Sequence, residues 1–174
     1  MTELEILSQI DFIEVILMPA IVTIVISSLL GLERQNIGKS AGISAHILIG
    51  AATMMVSIVQ RFFFLETGAT DVAENQRLIA QILPGVGFIG AGVIMKGEKT
   101  IIGLTTAATI WAVAIMGLIA GSGYWRLGAA YGLFLVLFIY IRDLKRGINP
   151  FVPHVHFDFT DNEMVREDDK RRHA

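Results

Sequence analysis

Glu33 and Arg34 adjoin in Gly-Leu-Glu-Arg-Gln, His46 closes Ala-Gly-Ile-Ser-Ala-His, and Thr105, Thr106 and Thr109 crowd Gly-Leu-Thr-Thr-Ala-Ala-Thr. A carboxylate, a guanidinium, an imidazole and several hydroxyls brought together would make a polar vestibule for a ligand or a partner. The same residues allow a plainer reading, in which Arg34 snorkels to lipid headgroups, Glu33 pairs with it, and the threonines bond back to their own helices. A second constellation is Gly85-x-Gly87-x-x-Gly90, which has the lettering of a dinucleotide-binding turn. Pro84 stands where the preceding strand would need an N–H, and Thr109, Ile110 and Trp111 occupy the stretch where a ribose-binding carboxylate belongs. A third is His154-x-His156-x-Asp158, whose alternation would put all three on one face of a strand as a candidate transition-metal set. The chain has no cysteine, which removes thiol catalysis, thiolate metal sites and disulfides. With no Ser-His-Asp order, no paired carboxylates and no basic nucleic-acid patch, neither an enzyme nor a nucleic-acid binder is expected, and no cofactor is implied.

The elements that must position these residues are set by a composition that is 53% hydrophobic and 17% charged, the latter below the roughly 25% of ordinary soluble domains. The charges gather in short clusters and leave neutral runs at 15–32, 43–65, 78–95, 101–120 and 124–141. Each run is about 18 to 23 residues, enough at about 1.5 Å per residue to cross or nearly cross a hydrocarbon core of about 30 Å. The expectation is an all-α, polytopic bundle of five transmembrane helices. The acidic N-terminus lacks the basic region and cleavage site of a signal peptide, so the first helix is expected to be retained. Arg34, Lys39, Lys96, Lys99, Arg142, Lys145 and Arg146 fall on one side, against Arg61, Arg77 and Arg126 on the other. The richer side is cytoplasmic, which puts the N-terminus outside and the C-terminus inside, with Tyr124 and Trp125 as outer anchors. Glu33, Arg34, His46, Thr105, Thr106 and Thr109 then share the cytoplasmic end. The spans hold no Asp or Glu; Glu33 stands where the first of them leaves the membrane.

In lipid, small residues at four-residue spacing let helix backbones approach. Gly87 with Ala91, Gly117 with Gly121, and Gly128 with Gly132 have that spacing. Gly85, Gly87, Gly90 and Gly92 crowd the third helix beside Pro84, so that helix is expected to be the central, most enclosed one. Gln81 would glue two helices, and the small-residue faces suit a homodimer.

Gly-Leu-Glu-Arg-Gln at 31–35, Ala-Gly-Ile-Ser-Ala-His at 41–46, Ile-Ala-Gln-Ile-Leu-Pro-Gly-Val-Gly-Phe-Ile-Gly-Ala-Gly at 79–92 and Gly-Leu-Thr-Thr-Ala-Ala-Thr-Ile-Trp at 103–111 together resemble the MgtC/SapB family of bacterial inner-membrane proteins. The resemblance implies a membrane bundle linked to growth at low magnesium, and in some pathogens to survival inside host cells. Members resemble regulators of other membrane complexes, including the proton-driven ATP synthase. Where the family commonly has Arg-Thr before the histidine, this chain has Ser44 and Ala45, and Ile102 replaces a basic residue before Gly-Leu-Thr-Thr. Residues 1–145 are read as the membrane domain and 146–174 as a short, polar, partly disordered cytoplasmic tail. A magnesium transporter needs oxygen ligands for a reluctantly dehydrating cation, usually carboxylates among them, and the chain offers Glu33 at the membrane edge and no carboxylate inside the spans. Regulation of magnesium homeostasis is therefore the leading expectation, and ion transport the alternative.

Overall fold

A backbone immersed in hydrocarbon must satisfy its own N–H and C=O groups, and these neutral runs do so as helices. The computed structural model describes residues 11–67, 72–96 and 100–153. Helix α1, Ile13–Asn36, opens with a π-helical turn, and Pro19 stands at the start of its regular part. Helices α2, Ile43–Thr67, and α3, Val72–Gly92, follow. Strands β1, Met95–Lys96, and β2, Ile101–Ile102, form a short antiparallel ladder. Helix α4, Leu104–Ile119, passes through a π-helical turn at Ala120–Tyr124 into α5, Trp125–Lys145.

The ladder corrects the expectation that the fourth helix begins at Ile101. Gly103 adopts φ +88° and lies so close to the Val93 carbonyl that any Cβ there would overlap it, so the chain reverses before α4 starts.

Among the described residues, three stretches are long and apolar enough to cross a membrane: Ile13–Asn36, Ile43–Phe64 and Leu104–Lys145. A shorter apolar segment, Ile79–Gly92, belongs to α3. The third stretch is a hairpin rather than a rod. Gly123, at φ +95°, breaks it, and α5 folds back so that Gly128 meets Ala120 and Gly132 meets Met116 and Ile26.

Helix directions follow from residue pairs. Gly31 lies against Ile43 and Gly50 against Ser27 and Thr23, so α1 and α2 are antiparallel. His46 pairs with Thr109 and Ser57 with Ser122, so α2 and α4 run parallel. Glu14 meets Trp125, Leu29 meets Tyr140, and Arg34 meets Asp143, so α1 and α5 also run parallel. Helix α3 runs against α4, with Gly90 beside Ala107 and the antiparallel ladder between them, so successive helices alternate in direction, and one end of the bundle collects the C-termini of α1 and α5 with the N-termini of α2 and α4.

The core sits in two patches. Ile26, Leu30, Val113, Met116 and Ile139 join α1, α4 and α5, while Val86, Ile110 and Ala114 join α3 to α4 beneath Ala41. Gly117 and Gly121 are packing positions, since a Cβ at the first would strike Thr53 and the Gly50 carbonyl, and at the second the Met54 carbonyl. Gly90 lies against Ala107.

The expectation that the third helix is central is wrong. Gln81, Pro84, Gly85, Gly87, Phe88, Ala91 and Gly92 of α3 are exposed, and a Cβ at Gly85, Gly87 or Gly92 would meet nothing within 4 Å. Helix α4 is the enclosed one, with Val113, Ala114 and Met116 fully buried. Small residues permit close approach but do not themselves draw a neighbour, and α2 delivers its backbone to Gly117 and Gly121 instead.

Candidate functional site

The last turn of α1 brings Glu33 and Arg34 into the interior, 0% and 1% exposed. Arg34 donates through Nε and Nη2 to the two Glu33 carboxylate oxygens in a fork-to-fork pair. Its Nη2 also reaches Asp143 Oδ2 at 3.4 Å, across from the last turns of α5. Arg142 closes the figure, donating from Nε to Asp143 Oδ1 at 2.8 Å while its Nη2 stands 3.9 Å from Glu33 Oε1. Two carboxylates and two guanidiniums thus form one neutral network at the helix ends. Taking any of these charges out of water singly would be costly, and the mutual bonds offset that cost. The snorkelling of Arg34 to headgroups is excluded by its burial; its pairing with Glu33 is present.

His46, also 0% exposed, lies one helical crossing away in the first turn of α2. Its Nδ1 is 2.8 Å from the Gly42 carbonyl, which can only accept, so Nδ1 carries a proton. Its Nε2 is 3.1 Å from Thr109 Oγ1, and that hydroxyl is 2.8 Å from the Thr106 carbonyl. With neutral imidazole Thr109 donates to Nε2; with imidazolium it accepts from Nε2 and donates to Thr106. Thr106 is buried nearby, while Thr105 and Ser44 are exposed. A cavity of about 130 Å³ between α1, α4 and α5 is lined by Thr105, Thr109 and Arg142 among apolar walls that include Leu30 and Phe138.

The structure therefore brings Glu33, Arg34, His46, Thr105, Thr106 and Thr109 to one end of the bundle. Asp143 and Arg142, which complete the charge network, were not among the expected residues. Both lie just beyond the fifth neutral run, and Arg142-Asp143 mirrors Glu33-Arg34 as an adjacent acid–base pair, a signal that could have marked them. Also unexpected is a polar row on the inward face of α2, where Thr53, Ser57 and Gln60 continue the line of His46 and Gly50 at spacings of about one helical turn. Thr23 and Ser27 of α1 are fully buried toward the same seam. His154, His156 and Asp158 lie outside the described residues. Among the described residues, no group of three His, Asp or Glu is placed to hold a metal ion.

The family model described as "MgtC family" matches residues 21–146. The chain is 42% identical over 112 residues to "Putative magnesium transporter YhiD" of Escherichia coli K12, covering 63% of this chain and 52% of that protein. It is 37% identical over 115 residues to protein SapB of Bacillus subtilis, covering 64% and 50%. Against protein MgtC of Salmonella typhimurium LT2 the identity is 34% over 125 residues, covering 71% and 51%. The chain spans about half the length of these curated relatives. No solved structure matches it.

Proposed function

This chain belongs to the MgtC family, and from that premise we propose that it is a regulatory protein of magnesium homeostasis in the bacterial inner membrane, acting through contact with other membrane complexes. It crosses the bilayer five times, with its N-terminus outside and the helix ends bearing Glu33 and Asp143 at the cytoplasmic face. There the cavity walled by Thr105, Thr109 and Arg142 receives a ligand or partner that adjusts the response to low magnesium. The proton-driven ATP synthase is the first complex to test as a partner.

The observation that carries this reading is the neutral network itself. Mg²⁺ demands near-octahedral oxygen coordination and gives up water reluctantly. Glu33 and Asp143 already have their oxygens engaged by Arg34 and Arg142, and a divalent ion at this spot would face two guanidiniums. The competing reading, ion transport, draws on the name of the Escherichia coli relative and on the polar row of α2.

The deciding experiment has two arms: growth of a deletion strain at low magnesium with and without the chain, and Mg²⁺ entry into liposomes holding the purified protein. Regulation predicts restored growth with no flux above protein-free liposomes. Protein-dependent Mg²⁺ entry overturns it in favour of transport.

A further inference from the structure

On the outward face of α5 a groove of about 480 Å³ is lined by Phe134, Leu137, Phe138 and Ile141, with Arg142 and Lys145 at its end. We propose that this groove is a binding site for an anionic phospholipid, its phosphate held by Arg142 and Lys145 and one acyl chain laid along the aromatic wall.

Exposure of apolar side chains to lipid is ordinary in a membrane helix and selects no ligand by itself. What singles out this face is the joining of a concave apolar surface to paired cations. Phe134 and Phe138 stack with ring centroids 6.2 Å apart and an interplanar angle of 24°, forming a flat wall. Arg142 and Lys145 are three residues apart on the helix, so they share a face, and they stand in its last turns. From Lys145 back to Phe134 the helix rises about 16 Å at about 1.5 Å per residue, close to half of a hydrocarbon core of about 30 Å. A phosphate at the cations therefore leaves a chain the depth of one leaflet for the groove.

Arg142 is held ready for such a ligand. Nε and Nη2 are both directed at Asp143 Oδ1, at 2.8 and 2.7 Å, which fixes the guanidinium plane and leaves the Nη1 donors for an outside acceptor. Arg142 is compensated within the buried network, so Lys145 is the cation that the network does not balance; a zwitterionic lipid brings a quaternary ammonium along with its phosphate and leaves that charge unbalanced, and a soluble phosphate would leave the groove unfilled. Basic positions at the ends of membrane helices recognise anionic headgroups in this way, each cation changing affinity about fivefold near the surface.

The test uses the full chain in nanodiscs of phosphatidylcholine with a minor fraction of phosphatidylglycerol of the same acyl composition, and measures by mass spectrometry which lipid stays bound on extraction into neutral detergent. The site predicts preferential retention of phosphatidylglycerol. Because Arg142 also serves the buried network, the diagnostic variant is Lys145→Gln, at an exposed position, which should lower phosphatidylglycerol retention about fivefold and leave phosphatidylcholine retention unchanged. Phe134→Ser should lower retention as well. Equal retention of the two lipids, unchanged selectivity in Lys145→Gln, or full displacement of the lipid by glycerol phosphate at matched concentration would each overturn the proposal.

Discussion

Arg34 and Asp143, separated by 109 positions in the chain, meet at 3.4 Å in the interior of the bundle. Through them the ends of the first and last helices are locked in register, with the Tyr140 hydroxyl donating to the Leu29 carbonyl at 3.0 Å and the Asn36 amide donating to the Pro150 carbonyl at 2.8 Å.

Asp143→Asn should be among the most damaging single changes outside the core. It leaves Arg34 and Arg142 short of a counter-charge in a buried place, and breaking such a network costs about 3 to 5 kcal/mol. Thermal unfolding in detergent should show a large drop. The double change Arg142→Gln with Asp143→Asn restores neutrality and should recover part of the loss; a melting temperature for Asp143→Asn equal to that of the parent would refute the coupling.

Thr109→Val tests the vestibule with little volume change. It removes the hydroxyl beside the buried His46 Nε2, a loss of about 1 to 3 kcal/mol. Growth at low magnesium should fail while membrane abundance stays nearly constant, both measured in the same cells. Normal growth, or a growth defect matched by lost protein, assigns Thr109 a structural part only.

Glycine positions of similar spacing should respond in opposite ways. Gly117→Leu must push α2 and α4 apart, an overpacking cost of about 1 to 3 kcal/mol or more, whereas a side chain at Gly87 enters open space. Size-exclusion profiles after extraction should show Gly117→Leu aggregated or depleted and Gly87→Leu close to the parent. Equal damage from both would mean that α3 packs against something in the native membrane.

Orientation is read by fusions. A reporter active only in the cytoplasm should work when placed after Arg146 and be silent near Gly68, because the basic connections favour the inside. The opposite pattern reverses the assigned sidedness.

Much of this organisation is visible in the chain as letters. Neutral runs mark the segments that leave water, and the positions of Glu33, His46 and Thr109 at their margins foretell a shared end once helices alternate. The placement of α3 was not legible, because Gly85 and Gly87 are the same residue type as Gly117 and Gly121 and only the arrival of a neighbouring backbone tells them apart. Asp143 is marked only by its pairing with Arg142 just past a hydrophobic run, where charges also read as a solvated helix end, and its partner Arg34 lies far away in the sequence. Hydropathy records how far a segment avoids water, and carries no information on which face meets protein.

The pairing of neighbours within the charge network also bears on how the protein is made. At roughly 5 to 20 residues per second, the ribosome reaches Asp143 several seconds or more after Arg34 has been synthesised. During that interval α1 has no contact from α5, yet Glu33 and Arg34 can neutralise one another within a single turn. Arg142 and Asp143 come as a similar neutral couple on the last helix. Completion of the bundle then joins two self-compensated couples that keep their own bonds and add the contact of Arg34 with Asp143, and at no stage must a helix enter the membrane carrying a lone charge at this end.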